Sequence, residues 1–201
     1  PRPKSSAASD VYKRQMSHSK TSKIIHWTFT LLYSYGIFKQ VDDLSELEDP
    51  SLLNLEITFA IIFLIIVLIR YFFMKDAPTL LGATKEVRPG HLFLAKAMHR
   101  LIYSVLIMLP TTGLLIAALF NLGIGGIDFA VALHEFSALL SYVLIAMHIG
   151  AAFYSKLKGE GVWNGMVPVW KETKKYDSEL LIKIKNIENR AYDKLEQILK
   201  I

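Results

Sequence analysis

The chain has 201 residues, of which 52% are hydrophobic, and a formal net charge of +5. A mean hydropathy of +0.33 is too apolar for a soluble domain and is typical of a small membrane protein with polar loops. The sequence contains no cysteine, which excludes disulfides, thiolate-bound zinc, iron–sulfur clusters and cysteine-linked cofactors.

Residues 1–15 resemble a translated sequencing adapter rather than a natural protein segment. The run from Ser9 to Gln15 has this character, and Met16 follows it directly as a plausible start. We therefore exclude residues 1–15 from the expected fold. They carry +3 of the formal +5, and the rest of the chain, at about +2, gives no reason to expect nucleic-acid binding.

Four apolar stretches within residues 16–170 predict transmembrane helices, because a span needs about 20 apolar residues and lipid requires a helical backbone. They cover residues 24–38, 52–74, 92–120 and 129–154. The first is the weakest, since it is short and contains several polar side chains, and Pro110 interrupts the third. The fold class expected is an all-α, integral membrane four-helix bundle in the lipid bilayer.

The charges of the connections predict the orientation of this bundle. The connection after the first span is acidic, with Lys39 as its only base, and the connection between the third and fourth spans contains no Lys or Arg. The other connection and the tail contain clustered bases: Lys75, Lys85 and Arg88, then Lys156, Lys158, Lys171, Lys174 and Lys175. The positive-inside rule therefore places both termini in the cytoplasm.

Residues 171–201 are expected to lie outside the membrane as a cytoplasmic amphipathic helix. Leu180, Ile184, Ile187 and Ile198 recur at helical spacing among Lys and Glu. Two interpretations stay open. The helix rests on the bundle or on the lipid headgroups, or it forms a short coiled coil with a second copy or a partner.

Histidines inside the spans are the candidate functional residues, because ionisable groups in a membrane are costly and indicate function. His134 and His148 lie fourteen residues apart, which is about 21 Å of helix and nearly four turns, so both imidazoles share a face. This spacing fits two haem irons, one toward each side of the membrane. By depth, His26 is expected to face His148 across the bundle and to ligate the same iron. No histidine lies at the depth of His134 on the second span, which offers Glu56 instead.

The order of these residues resembles the bacterial cytochrome b561 family. The motifs are Ile25-His26-Trp27, then Ala95-x3-His99-x2-Ile102-Tyr103-x6-Pro110-x2-Gly113, then His134-Glu135-x12-His148. The likeness extends from about Lys23 to Pro168. It implies a multi-pass protein of the bacterial inner membrane with two b haems, each held by two histidines, that exchanges electrons with ubiquinone or menaquinone.

Carried over residue by residue, the resemblance implies that His26 and His148 hold the inner haem iron and that His134 holds the outer one. In the family, a second-helix histidine stands fourteen residues before an arginine, and counting back from Arg70 gives Glu56. The resemblance therefore implies an outer haem that is lost, weakened or ligated unusually, by Glu56 or with an open site. One haem b or two both stay open.

Three further residues lie near the predicted inner haem. His99, beside Arg100, is either a structural hydrogen-bonded histidine or a group that binds quinone or a haem propionate. Arg70 and Arg100 are candidate propionate partners. His18 and His91 fall in polar connections and are expected to be solvated.

Three functions follow from this sequence. The leading one is an electron-transfer oxidoreductase between the quinone pool and a redox partner, with superoxide as a donor in some relatives. The second is a haem-bearing membrane-anchor subunit of a dehydrogenase or hydrogenase, and the third is a small membrane protein without haem. A redox partner protein and a homodimer are both compatible with the sequence, which contains no nucleotide-binding or hydrolase motif.

Overall fold

The computed structural model describes residues 20–41, 43–75, 87–171 and 178–200. Within these ranges every regular element is helical, which confirms the predicted all-α class. The predictions for residues 1–15, His18, Lys85, Lys174 and Lys175 lie outside the described residues.

The described ranges contain six α-helices. They are α1 (Lys20–Phe38), α2 (Pro50–Met74), α3 (Pro89–Leu122), α4 (Ile127–Lys158), α5 (Val162–Met166) and α6 (Glu179–Leu199). A 3-10 turn, Leu44–Glu48, lies between α1 and α2. Helices α1 to α4 cover the four apolar stretches, and α6 covers the C-terminal amphipathic segment. The 3-10 turn and α5 have no counterpart among the sequence predictions.

Three helices in the described part of the chain are long and apolar enough to cross a membrane. They are α2, α3 and α4, with 25, 34 and 32 residues. Helix α1 has 19 residues and is not one of them, so its crossing stays a prediction, as do the orientation of the termini and the division at residues 15 and 170. Its hydroxyls are satisfied inside the helix, because Thr30 Oγ1 donates to the His26 carbonyl at 2.8 Å and Ser34 Oγ donates to the Thr30 carbonyl at 2.9 Å.

The acidic connection between α1 and α2 also caps the following helix. Asp49 is the N-cap of α2, and its carboxylate accepts a hydrogen bond from the Ser51 backbone N–H at 2.9 Å. Hydrogen bonds from the Ser51 hydroxyl and N–H lower the pKa of Asp49. Pro50 follows at the first helical position, where its missing N–H costs nothing. A charge pattern that indicates topology therefore also fixes where α2 begins.

The helices belong to two compact units. The first, the α1–α2 unit, comprises residues 20–41, 43–75 and 100–145 among those described. Its core is formed by Phe29, Tyr33, Phe63, Val67 and Leu106. Tyr33 O–H donates to Ser141 Oγ at 2.7 Å, since Ser141 itself donates to the Ala138 carbonyl at 2.7 Å. Small residues on α4, which are Ala130, Ser137 and Ser141, are at most 1% exposed and permit close helix packing.

The second unit, the α6 unit, comprises residues 87–99, 146–171 and 178–200 among those described. Here α6 packs against the start of α3 and the end of α4 through charged side chains. Arg88 bonds Glu196 and Asp193, and Lys158 bonds Glu188. This docking agrees with the interpretation in which α6 rests on the protein.

Candidate functional site

His134 lies half-buried on α4 in the α1–α2 unit, and its hydrogen bonds fix its tautomer. Its Nδ1 is 3.1 Å from the Leu109 carbonyl oxygen and 3.0 Å from Thr112 Oγ1. A carbonyl only accepts, so Nδ1 carries the proton and donates. Nε2 then holds the lone pair, and among the described residues it has no hydrogen-bond partner. This is the form in which a histidine binds a metal.

The Pro110-x2-Gly113 segment of α3 supports the His134 ring. A Cβ placed on Gly113 would be 3.5 Å from Cε1 of His134 and 3.8 Å from its Nδ1. The imidazole therefore lies directly against the Gly113 backbone. Leu109 and Thr112 are not among the residues predicted from the sequence, although Thr112 lies within the Pro110-x2-Gly113 segment and Leu109 directly before it.

Glu56 has a partner within the protein, Lys39, which is not among the residues predicted for this site. On α2, its carboxylate forms a salt bridge with Lys39 Nζ, and the two side chains are 24% and 13% exposed. Lys39 Nζ also lies 4.6 Å from the ring centroid of Phe59, in a cation–π contact. Glu56 and His134, the two residues predicted at the outer haem position, lie in the same compact unit, and the partner of Glu56 there is Lys39.

His99 and His148 lie together in the α6 unit. Their ring centroids are 5.2 Å apart and the planes meet at 78°, an edge-to-face contact between α3 and α4. His99 Nδ1 donates to the Ala95 carbonyl at 2.7 Å, so its Nε2 is the acceptor nitrogen. His26, half-buried and in edge-to-face contact with Trp27, belongs to the other unit. Its pairing with His148 stays a prediction.

Arg70 is a buried cation on α2 without an anionic partner. It is 9% exposed, and its side-chain partner is the Tyr103 hydroxyl. Its Nη1 is buried without a hydrogen-bond partner, and no described carboxylate pairs with it. A buried charge without a counter-ion is strongly unfavourable. The site therefore suits an anionic group such as a haem propionate. Arg100, by contrast, is exposed.

The expectation that His91 is solvated is wrong. His91 is half-buried and stacks on Tyr192 of α6, with ring centroids 5.2 Å apart and planes at 18°. The partner aromatic ring comes from a helix about a hundred residues later in the chain, so the residues around His91 do not reveal it. Among the described residues there is no group of three or more His and carboxylate side chains that could hold a bare metal ion.

These residues fit a b haem. Such a haem requires neutral imidazoles as axial ligands and cations for its propionates. His134 supplies a ring whose tautomer is set by two acceptors, and Arg70 supplies a buried guanidinium whose Nη1 has no hydrogen-bond partner among the described residues.

Comparison with known families agrees with this fit. Residues 17–169 match the family described as prokaryotic cytochrome b561, which confirms the predicted family and leaves α6 outside the match. Searches of curated proteins and of solved structures gave no match. The chain therefore belongs to the prokaryotic cytochrome b561 family, a family of multi-pass bacterial membrane proteins that transfer electrons with b-type haem.

Proposed function

We propose that this protein exchanges electrons between a membrane quinone and a redox partner in the bacterial inner membrane. His26 and His148 are the proposed axial ligands of one haem b, and His134 is the proposed ligand at a second position. Bound haem supplies a one-electron iron couple whose potential depends on axial ligands, burial and nearby charge. The rest of the proposal concerns what the residues of this chain do.

The hydrogen bonds of His134 are the observation that carries the proposal. Two acceptors on α3, the Leu109 carbonyl and the Thr112 hydroxyl, engage Nδ1 at 3.1 Å and 3.0 Å. They make Nδ1 the donor nitrogen, so that in the neutral ring Nε2 carries the lone pair, and they fix the direction of the ring. Ligating histidines in metal proteins receive the same support from their surroundings. Gly113 leaves room for the ring against the backbone of α3.

Arg70 is the proposed propionate partner. Its buried Nη1 has no hydrogen-bond partner among the described residues, and a carboxylate there would form a charge-assisted hydrogen bond. Arg100 is exposed on α3 and is the proposed partner of a second carboxylate. The Arg70 assignment is supported by its buried Nη1, and the Arg100 assignment by its charge and exposure.

His99 is the proposed quinol-binding residue. Because its Nδ1 donates to Ala95, its Nε2 is an acceptor that suits a quinol hydroxyl. Its edge-to-face contact with His148 keeps that acceptor beside a proposed haem ligand. His99 would thus hold the quinol and accept its proton.

Glu56 is proposed to pair with Lys39 and not to ligate iron. Its salt bridge with Lys39 gives the carboxylate a counter-charge within the protein. A haem at His134 would therefore lack a second strong ligand and would be high-spin. The protein would bind two haems if His134 alone can retain one, and a single haem if it cannot.

Haem reduction by quinol tests the function. Purified protein loaded with haem is reconstituted in vesicles, and reduction is followed in the α band after addition of ubiquinol or menaquinol analogues, or of superoxide. We expect His99→Gln to slow reduction by quinol at least about tenfold, or about 1.4 kcal/mol in the barrier, because glutamine can accept the quinol hydrogen bond but cannot take its proton. His91→Gln is the matched control and should react as the wild type does.

Three results distinguish the alternatives. If dithionite reduces the haem but neither quinol does, quinone is not the partner. Reduction by superoxide alone would identify superoxide as the donor. A protein that purifies in fixed stoichiometry with a dehydrogenase or hydrogenase is an anchor subunit.

A further inference from the structure

Helix α6 is held against the protein by its acidic side chains. Arg88 Nη2 donates to Glu196 Oε2 at 2.6 Å and to Asp193 Oδ1 at 2.7 Å, and the Gly90 N–H donates to Glu196 Oε1 at 3.0 Å. Hydrogen bonds from Arg88 and Gly90 lower the pKa of Glu196. This end of α6 is therefore anchored to the first turn of α3.

Glu188 forms the second anchor. Lys158 Nζ donates to it at 3.0 Å, Tyr154 O–H at 2.9 Å and Tyr192 O–H at 3.0 Å. Burial alone would raise the pKa of Glu188, but hydrogen bonds from Lys158 and Tyr154 outweigh it, so the pKa lies below its ordinary value. Three of the four acids in α6 thus form ion pairs. Glu188 pairs with Lys158 of α4, and Asp193 and Glu196 pair with Arg88, the residue just before α3.

A different face of α6 is apolar and exposed. Leu180, Ile187 and Ile198 are 68%, 66% and 77% exposed, and Ile184 lies between them on the same stripe. At 3.6 residues per turn, these four positions fall within about 60° of one another. We call them the apolar stripe. Nothing in the described chain covers it.

Three bases border the apolar stripe on one side. Lys183, Arg190 and Lys194 are exposed, and none of them forms an ion pair among the described residues. They lie within about 90° of the centre of the stripe. Three of the four acids of α6 are engaged by Arg88 and Lys158, and the fourth, Glu179, lies one turn before Lys183 on this side of the helix. Three bases and one acid leave this side with a net positive charge of about +2 next to apolar side chains.

Aromatic residues near the end of α4 indicate the level of the membrane surface. Lys156 Nζ lies 4.6 Å from the ring centroid of Trp163 and 5.9 Å from that of Trp170. Tryptophan and lysine side chains concentrate where a span enters the headgroup layer. Helix α6 packs on Tyr154 and Lys158, in the same last turns of α4. Its docking point is therefore at headgroup level.

We propose that α6 is an interfacial helix that binds anionic phospholipid. The apolar stripe inserts between the acyl chains, and Lys183, Arg190 and Lys194 contact the headgroup phosphates. Anionic lipid complements these bases, whereas a second copy of α6 would present the same positive charges. The proposal concerns a segment outside the family match and does not depend on haem binding.

Spin labels test this proposal in the full chain, which has no cysteine to interfere. Ile187→Cys places a nitroxide on the apolar stripe, and the neighbouring Asn186→Cys places one on the exposed polar side as the matched control. Each protein is reconstituted in vesicles of phosphatidylcholine, with or without phosphatidylglycerol. Accessibility is then measured to oxygen, which partitions into lipid, and to a water-soluble nickel chelate.

In the anionic vesicles we expect the label at position 187 to be accessible to oxygen and the label at position 186 to the nickel chelate. Combining Lys183→Gln, Arg190→Gln and Lys194→Gln should move the label at 187 toward water, as should phosphatidylcholine alone. Equal chelate access at both positions in anionic vesicles would overturn the proposal. Spin–spin broadening at 187 would instead identify a second copy as the occupant, and equal depth in the two lipids would refute binding to anionic headgroups.

Discussion

The pairing of Lys39 with Glu56 makes a quantitative prediction about the second proposed haem position. If Glu56 serves Lys39, replacing either partner should destabilise the protein, and replacing both should cost less than the sum. Removing one partner of a fully buried pair costs roughly 3–5 kcal/mol. These side chains keep 13% and 24% of their surface, so solvent relieves part of that cost. When Glu56 is replaced, the ring of Phe59, whose centroid is 4.6 Å from Lys39 Nζ, still stabilises the ammonium by about 1 kcal/mol.

We therefore expect Glu56→Gln to lower the free energy of unfolding by about 1–3 kcal/mol, and Lys39→Met by a similar amount. The double variant should recover a coupling energy of about 1–2 kcal/mol. Unfolding in mixed micelles with increasing dodecyl sulfate, followed by circular dichroism, measures all four proteins. Additive effects of the two substitutions would refute the pairing.

The haem spectrum of the same variants separates a salt bridge from an iron ligand. Glu56→Gln should leave the number of haems and their spin state unchanged, while Glu56→His should create or strengthen a low-spin haem opposite His134. Loss of haem or of a high-spin signal in Glu56→Gln would show that the carboxylate binds iron. A Glu56→His protein with an unchanged spectrum would mean that position 56 does not face the haem.

Three other results are expected. Tyr33→Phe should lower stability by about 0.5–1.5 kcal/mol in the same unfolding assay, because the hydroxyl bonded to buried Ser141 is lost, and an unchanged midpoint would contradict this. Gly113→Leu should reduce haem content by displacing the His134 ring, whereas Gly113→Ala, with a Cβ at 3.5 Å, should retain it; equal haem content in both would contradict the packing. The folded-state pKa of Glu188 is below its ordinary value, so Glu188 stabilises the docking of α6 above about pH 4.5, and this stabilisation is lost as the pH falls further. Proteolysis of α6 should therefore increase on acidification, and proteolysis that does not increase would contradict this pH dependence.

The helices of this protein are largely predictable because lipid leaves few alternatives. Apolar runs of sufficient length must form helices when their backbone cannot bond to water, and the amphipathic spacing of α6 is visible in the sequence. The start of α2 can also be predicted from local sequence, since Asp49 is its N-cap and Pro50 its first residue. What hydropathy does not predict is whether α1 crosses the bilayer, because its Thr and Ser side chains lower its apolarity while bonding within the helix.

The site was less predictable, because its contacts depend on how the helices are rotated. Lys39 and Glu56 meet only when the end of α1 faces the early turns of α2. His134 obtains its tautomer from Leu109 and Thr112, more than twenty residues earlier. His91 lies in a polar stretch of the sequence, and its stacking on Tyr192 depends on the packing of α6. In each case the residue type indicates a polar group that needs a partner, and the fold decides which one.

The central claim, that histidines of this chain hold b haem, is tested most directly by counting haem per polypeptide. The pyridine haemochrome of the purified wild type is compared with those of His148→Ala and the control His91→Ala. The account predicts at least one haem in the wild type, the same number in His91→Ala and one fewer in His148→Ala, with loss of a low-spin spectrum. A wild-type ratio near two would mean that His134 holds haem as well. A folded wild type without haem, or a His148→Ala protein with an unchanged count and spectrum, would contradict the account.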